Sequence, residues 1–148
     1  YCSITSRQLS QNTWPFSVSF PHFMQCTRTH PLFRYSILYY KSLDFATQIV
    51  LFYEEFSKSK KDTTIAKQLL RSATSIGANI NEAVYGNSKA DFISKLHISL
   101  KETGESIYWL TLLKRTSLME YNYDELISLA EEIKRMLIAS LNTAKENK

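Results

Sequence analysis

Few residues in this chain would interrupt a helix. It has three glycines and three prolines in 148 residues, and the prolines (Pro15, Pro21 and Pro31) all lie before residue 35. Proline inside a helix removes a hydrogen bond and clashes with the preceding turn, and glycine lowers helix stability. The proline-free stretch over residues 35–148 therefore favours long helices.

Cysteine and long apolar runs are also scarce. Cys2 and Cys26 are the only cysteines, so no disulfide can staple residues 35–148, and this usage is typical of a cytoplasmic protein. No run approaches the roughly 18 apolar residues of a membrane-spanning helix. No glycine-rich phosphate loop is present. These absences exclude a disulfide-rich fold, a membrane span and a nucleotide-binding loop of that type.

The formal net charge of +4 is carried mostly by the first 34 residues, which contain three arginines and no acid. This segment is rich in serine and aromatic residues and has no hydrophobic period. Two interpretations are open: an organellar transit peptide, or upstream sequence outside the folded domain. We favour the second and expect an irregular extension over residues 1–34, followed by one domain over residues 35–148.

Apolar residues recur at helical spacing along four segments, joined by short polar connections. N-cap residues precede three of them (Asp62, Ser88 and Asn122), and Gly86 is expected to end the second in a left-handed conformation. Short connections make sequential helices antiparallel. The sequence therefore predicts an all-α, antiparallel up-down-up-down four-helix bundle, with helices over residues 36–57, 63–85, 88–115 and from 123 to the C-terminal end.

The first and third predicted helices differ in their apolar content. The first has more apolar residues, from Ile37 to Phe56, than one stripe can bury, so we expect a partner to cover some of them. On the third, Gly104 either admits a neighbouring helix or is tolerated at a cost of about 1 kcal/mol. The expected apolar stripe of this third helix comprises Phe92, Leu96, Leu100, Ile107, Leu110 and Leu113.

The spacing of acidic, histidine, serine and cysteine residues does not indicate a catalytic site. Glu102 and Glu105 are spaced i, i+3, but di-iron bundles use Glu-x-x-His motifs, and none occurs. We expect these two carboxylates to meet Arg71 or lysines of a neighbouring helix or subunit instead. His97 stands alone on its helix, and no serine or cysteine has a nucleophile context. We therefore predict no catalytic, metal-binding or cofactor-binding residue, and no enzyme.

Polar residues within the second and third helices have two interpretations. They fix the register between helices or subunits, which we favour, or they line a ligand-facing surface. Trp109 is interpreted as an interface anchor. The residues in this group are Arg71, Asn79, Glu82, Glu102, Glu105 and Trp109.

Basic residues outnumber acids eight to three over residues 58–101. In an oligomer this excess is multiplied, which suggests a basic rim that contacts phosphates; a solvated helix face is the alternative. Tyr108, Trp109, Tyr121 and Tyr123 are either stacking platforms for bases or packing anchors. The candidate nucleic-acid-binding residues are Lys58, Lys60, Lys61, Lys67, Lys89, Lys95 and Lys101.

The segment SATSIGANINEAVYGNSKADFISKLHISLKETGESIYWLTLL, preceded by Arg71, resembles the four helix bundle protein family. This family includes proteins encoded in intervening sequences of bacterial large-subunit ribosomal RNA genes. The segment is also similar to accessory variability proteins of diversity-generating retroelements. The resemblance implies a homopentamer around a central channel and no known catalytic activity. For the accessory proteins it implies binding of nucleic acid and a reverse transcriptase.

These observations predict a cytoplasmic, non-enzymatic bundle that self-associates and acts as a binding or scaffolding module. Its partner would be RNA, DNA or a nucleic-acid enzyme. The alternative is a protein–protein adaptor with no nucleic-acid contact.

Overall fold

The computed structural model describes residues 31–146, with side chains from residue 37 onward, and this part of the chain is four α-helices with no strand. Residues 1–30, which hold most of the predicted irregular extension, lie outside the described residues. The helices are α1 (Pro31–Lys58), α2 (Thr64–Val84), α3 (Lys89–Thr116) and α4 (Tyr123–Glu146). No helix among them is long and apolar enough to cross a membrane.

Helix α1 begins at Pro31, five residues before the predicted start at Ser36. The helix therefore begins three residues before the expected domain boundary at residue 34, and the domain division itself stays a prediction. Proline fits the first turn of a helix, because the N–H group it lacks would have no partner there and its fixed φ suits the helix. Pro31 is thus compatible with the first turn of α1.

Ion pairs between neighbouring helices show that α2 and α3 are antiparallel. Arg71 near the start of α2 pairs with Glu105 in the second half of α3, whereas Glu82 near the end of α2 pairs with Lys95 near the start of α3. The helices contact one another in cyclic order, α1 with α2, α2 with α3, α3 with α4 and α4 with α1. Therefore α1 and α3 lie diagonally opposite, as the predicted bundle requires.

Helix α1 runs antiparallel to α4 and contributes its aromatic residues to the core. Lys41 pairs with Glu132, and further along α1 the Phe52 ring contacts Tyr121 just before α4. The residues that are both largest and fully buried come from all four helices. They are Phe45, Phe52, Phe56, Leu38, Ile49, Leu69, Ile76, Ile80, Leu96, Leu110, Leu113 and Leu126.

The centre of α3 faces the core with small polar residues instead of the predicted leucine and isoleucine. Leu100 and Ile107 are only half-buried, whereas Ser99, Thr103 and Ser106 are fully buried. Their hydroxyl groups are satisfied: Ser99 Oγ donates to the carbonyl of Ile76 on α2 at 3.0 Å, and Thr103 Oγ1 donates to the carbonyl of Ser99 at 2.7 Å. Small hydroxyl side chains allow α2 and α3 to approach closely while meeting their own hydrogen-bonding needs.

The end of α2 favours glycine for a different reason from the one predicted. Gly86 does not have a positive φ angle. In the described part of the chain, every residue with a positive φ angle is a residue other than glycine. The N–H of Gly86 donates to the carbonyl of Ala83 at 3.1 Å, which tightens the last turn. A Cβ atom at position 86 would lie 3.1 Å from that oxygen and 3.3 Å from the nitrogen of Phe92. The constraint is therefore space between α2 and α3.

Side chains cap the starts of α2, α3 and α4. Ser88 Oγ accepts a hydrogen bond from the N–H of Asp91 at 3.1 Å, as the sequence predicts. Asp62 caps α2 from one residue before its N-cap: its Oδ1 accepts bonds from the N–H of Thr64 at 2.8 Å and from the Thr64 hydroxyl at 2.6 Å. These two hydrogen bonds hold the pKa of the Asp62 carboxyl below its usual value, and the bond from the Thr64 hydroxyl has the larger effect. At α4, Asn122 and Glu125 bond each other reciprocally.

Candidate functional site

Antiparallel packing of α2 and α3 places the predicted polar residues along the outer boundary between the two helices, which we call the α2–α3 seam. The seam comprises Arg71, Asn79 and Glu82 of α2 and Lys95, Glu102, Glu105 and Trp109 of α3. Arg71 Nη2 lies 2.5 Å from Glu105 Oε1, and Trp109 Nε1 donates to the same oxygen at 3.1 Å. Arg71 Nε donates to Gln68 Oε1 at 3.3 Å. The guanidinium is therefore held from two sides by residues of both helices.

The other end of the seam carries a second ion pair. Lys95 Nζ lies 2.5 Å from Glu82 Oε2, and the hydrogen bond and charge of Glu82 raise the pKa of Lys95. Asn79 does not bridge the helices: its Nδ2 donates to the carbonyl of Ser75, one turn earlier in α2, at 2.9 Å. Both pairs lie partly in solvent, so each ion pair contributes only modestly to stability.

Glu102 lies between these two pairs along α3. Its Oε2 atom is buried and has no hydrogen-bond partner among the described residues. We expected Glu102 and Glu105 to meet Arg71 or lysines of a neighbouring helix or subunit. Among the described residues Glu105 meets Arg71, and Glu102 forms no ion pair. A buried carboxylate oxygen without a donor costs stability.

The candidate lysines do not form one patch on a single copy. Three of the seven lie at the α1–α2 connection, where Lys61 donates to the carbonyl of Leu118 in the α3–α4 connection. Lys89 and Lys95 lie at the opposite end of the bundle, because α3 begins there. Lys58 and Lys60 are the other two at the α1–α2 connection.

Lys67 and Lys101 lie beside the Arg71–Glu105 pair, and both are exposed. Lys67 is one helical turn before Arg71 on α2, and Lys101 is one turn before Glu105 on α3. Because the helices are antiparallel, the two lysines stand on opposite sides of the ion pair. The i, i+4 spacings are visible in the sequence, but the pairing that joins them is not.

Of the three tyrosines that the sequence offers as stacking or packing residues, one is exposed and two are packed against other rings. Tyr108 is 60% exposed, and its ring meets the edge of the Trp109 ring with centroids 4.9 Å apart. Tyr121 and Tyr123 pack on Phe52 with centroid distances of 4.9 and 5.8 Å. Burial raises the pKa of both packed phenols. Tyr108 is therefore the tyrosine of this group that is open to a flat ligand.

A second candidate surface is the outward side of α1, which we call the α1 stripe. Its five large apolar side chains are between 37% and 58% exposed, and they lie opposite the residues with which α1 enters the core. The α1 stripe comprises Ile37, Tyr40, Leu43, Val50 and Leu51.

Residues 31–146 contain no group of three or more histidine, cysteine, aspartate or glutamate side chains arranged to hold a metal ion. His97 is half-buried on α3. The candidate site is therefore a pair of surfaces, one polar and one apolar.

The comparisons with known proteins agree with this fold. The model of the 23S rRNA-intervening sequence protein family matches residues 34–139. The chain belongs to this family. The matched region contains the complete α2–α3 seam, and the predicted resemblance to intervening-sequence proteins is confirmed. The similarity to accessory proteins of retroelements stays a prediction.

A solved structure is also similar to this family member. It is described as a protein of unknown function from the S23 ribosomal protein family of Bacteroides thetaiotaomicron. The two chains are 43% identical, the match covers 74% of this chain and 98% of the other, and the TM-score is 0.71. No curated protein matches the chain significantly.

Proposed function

We propose that the chain is a non-enzymatic binding or scaffolding module that works as a homo-oligomer, with the α1 stripe as its subunit contact. The exposure of five large apolar side chains on one helix carries this proposal. Several large apolar side chains left exposed on a helix that already buries its other side are typical of an interface. Burial of such surface is worth about 25 cal/mol per Å².

A second copy of this chain is the proposed occupant of the stripe, and five copies is the number that the resemblance implies. A closed ring of five uses two different surfaces on each subunit, so the stripe of one copy would pack on another face of its neighbour.

The mass of the particle in solution tests the oligomer. Leu51→Glu places a charge at the most exposed side chain of the stripe, and we expect it to lower the mass measured by light scattering and sedimentation. Asn142→Glu adds the same charge at an exposed position of α4 outside the stripe and should leave the mass unchanged. Circular dichroism checks that both variants keep their helices. A wild-type chain that remains monomeric at high concentration would overturn the proposal.

The partner of this assembly, we propose, is RNA, DNA or a nucleic-acid enzyme such as a reverse transcriptase. The excess of basic residues over residues 58–101 supports it. Labelled RNA and DNA should bind at about 50 mM salt and dissociate as salt is raised. A protein–protein adaptor is the alternative, and it is favoured if neither nucleic acid binds at low salt.

A further inference from the structure

Arg71 presents an aligned guanidinium to solvent. Its side chain is 56% exposed, and its Nη2 and Nε atoms are engaged by Glu105 and Gln68. The remaining nitrogen, Nη1, has no hydrogen bond within residues 37–146. A guanidinium that is already oriented loses little conformational freedom when it binds an anion, and its fork geometry suits a phosphate.

Two further cations extend this charge along the seam. Lys67 and Lys101 are each displaced from the Arg71–Glu105 pair by four residues, which is about 6 Å along a helix axis, in opposite directions. The side chain of neither lysine forms an ion pair or a hydrogen bond within residues 37–146. The Glu105 oxygen that faces Arg71 is shared with Trp109, and the unpaired oxygen of Glu102 is shielded from solvent. The three cations are therefore more exposed than the two neighbouring carboxylates, Glu102 and Glu105.

An exposed aromatic ring lies at the edge of the same surface. Tyr108 is seven residues, or two turns, after Lys101, so both lie on one side of α3. Its ring rests edge-on against Trp109, which the bond to Glu105 fixes in place. A supported ring that is open on its outer side is a stacking surface for a base.

We infer that this surface, formed by Lys67, Arg71, Lys101 and Tyr108, binds single-stranded nucleic acid. The three cations contact successive phosphates, and an unpaired base stacks on Tyr108. Bases in a duplex are already stacked on both faces, so the aromatic contact selects single strands. The inference rests on the nucleic-acid role proposed above and adds the site and the class of strand.

Fluorescence anisotropy of a labelled oligonucleotide of about 12 nucleotides tests the site. Single-stranded RNA, single-stranded DNA of the same sequence and the matching duplex are compared over a range of salt concentrations. The variant Lys67→Ala/Lys101→Ala removes two charges from the surface. Its matched control, Arg115→Ala/Lys145→Ala, removes two exposed charges that lie outside the candidate nucleic-acid-binding residues. Sedimentation checks that all variants keep the wild-type mass.

We expect the Lys67→Ala/Lys101→Ala variant to reduce the slope of log affinity against log salt by about 1.4, which is two phosphate contacts on a single strand. The control variant should keep the wild-type slope. Arg71→Lys should weaken binding with little change in slope, because it keeps the charge and loses the fork. Tyr108→Ala should weaken binding about 5- to 100-fold, and Tyr108→Phe should restore it.

The outcomes separate this site from the broader proposal. If the wild type binds neither strand type at low salt, the nucleic-acid role fails and the site fails with it. If the wild type binds but both double variants lose the same affinity, the binding is diffuse and only this site is wrong. Tighter binding of the duplex than of either single strand overturns the stacking contact with Tyr108.

Discussion

The hydroxyl oxygens of Ser72 and Ser106 lie 2.9 Å apart at the interface of α2 and α3, and both side chains are fully buried. Each hydroxyl also lies within hydrogen-bond distance of a carbonyl one turn earlier in its own helix, Leu69 at 3.1 Å and Glu102 at 2.9 Å. Because each serine has this local alternative, the small volume of the pair matters more than the bond between them.

Replacement of Ser106 tests which property matters. Ser106→Leu inserts extra volume into a packed interface and should lower the free energy of unfolding by about 1–3 kcal/mol. Ser106→Ala removes the hydroxyl alone and should lower it by no more than about 1.5 kcal/mol. Urea unfolding measures both. A loss for the alanine variant that equals the loss for the leucine variant would show that the hydrogen bond is the larger contribution.

Gly104 and Gly77 form a matched pair for the effect of space within a helix. A Cβ atom at position 104 would have no neighbour within 4 Å, so Gly104→Ala should stabilise the chain by about 0.5–1 kcal/mol through helix propensity. A Cβ atom at position 77 would lie 3.2 Å from Ser42 Oγ on α1. Gly77→Ala should therefore gain less than Gly104→Ala, or lose stability, in the same thermal unfolding experiment.

The Ser42→Ala/Gly77→Ala double variant provides the control. Ser42 Oγ donates to the carbonyl of Tyr39 at 2.6 Å, which fixes its position against α2. Removal of this oxygen should make Gly77→Ala more favourable than it is in the wild type. Equal effects of Gly77→Ala with and without Ser42 would mean that α1 and α2 separate easily at this point.

Much of the fold follows from the spacing of apolar residues. Phe45, Ile49, Phe52 and Phe56 recur at intervals of four, three and four, and all four are fully buried on one side of α1. The same rule gave the wrong centre for the stripe of α3. It predicted Leu100 and Ile107 there, whereas the buried residues are Ser99, Thr103 and Ser106. The missed residues continue the spacing of Phe92, but they are hydroxyl residues, and a rule based on hydrophobicity cannot include them.

The site was less predictable than the fold. The sequence predicts that Glu102 and Glu105 meet Arg71 or lysines, but it does not say which pairs form, because contact depends on the register between two helices. The same register decides that Lys67 and Lys101 flank this pair while Lys61 contacts the α3–α4 connection. Register is set by packing across the whole interface, so it lies beyond the local pattern.

Glu102→Gln tests the cost of the unpartnered carboxylate in the seam. Glutamine keeps the shape of the side chain and removes the charge, so less desolvation opposes its burial. We expect the free energy of unfolding to be unchanged or to rise by up to about 1 kcal/mol. Urea unfolding at a protein concentration where the wild-type mass in solution is unchanged measures the change. A loss of more than about 1 kcal/mol would show that the carboxylate has a cationic partner, contributed by another copy of the chain.

Asp62 should make the stability of the bundle depend on acid. Its hydrogen bonds with Thr64 lower the pKa of the folded carboxyl below the usual 3.8. The stabilisation is therefore complete above the unfolded pKa and is lost as the pH falls through the lower folded pKa. We expect Asp62→Ala to melt below the wild type at neutral pH and the two melting temperatures to converge in acid.

Asp62→Asn keeps an acceptor without the charge, so its difference from Asp62→Ala should not vary over this pH range. A constant gap between wild type and Asp62→Ala would show that the charged carboxylate does not cap α2.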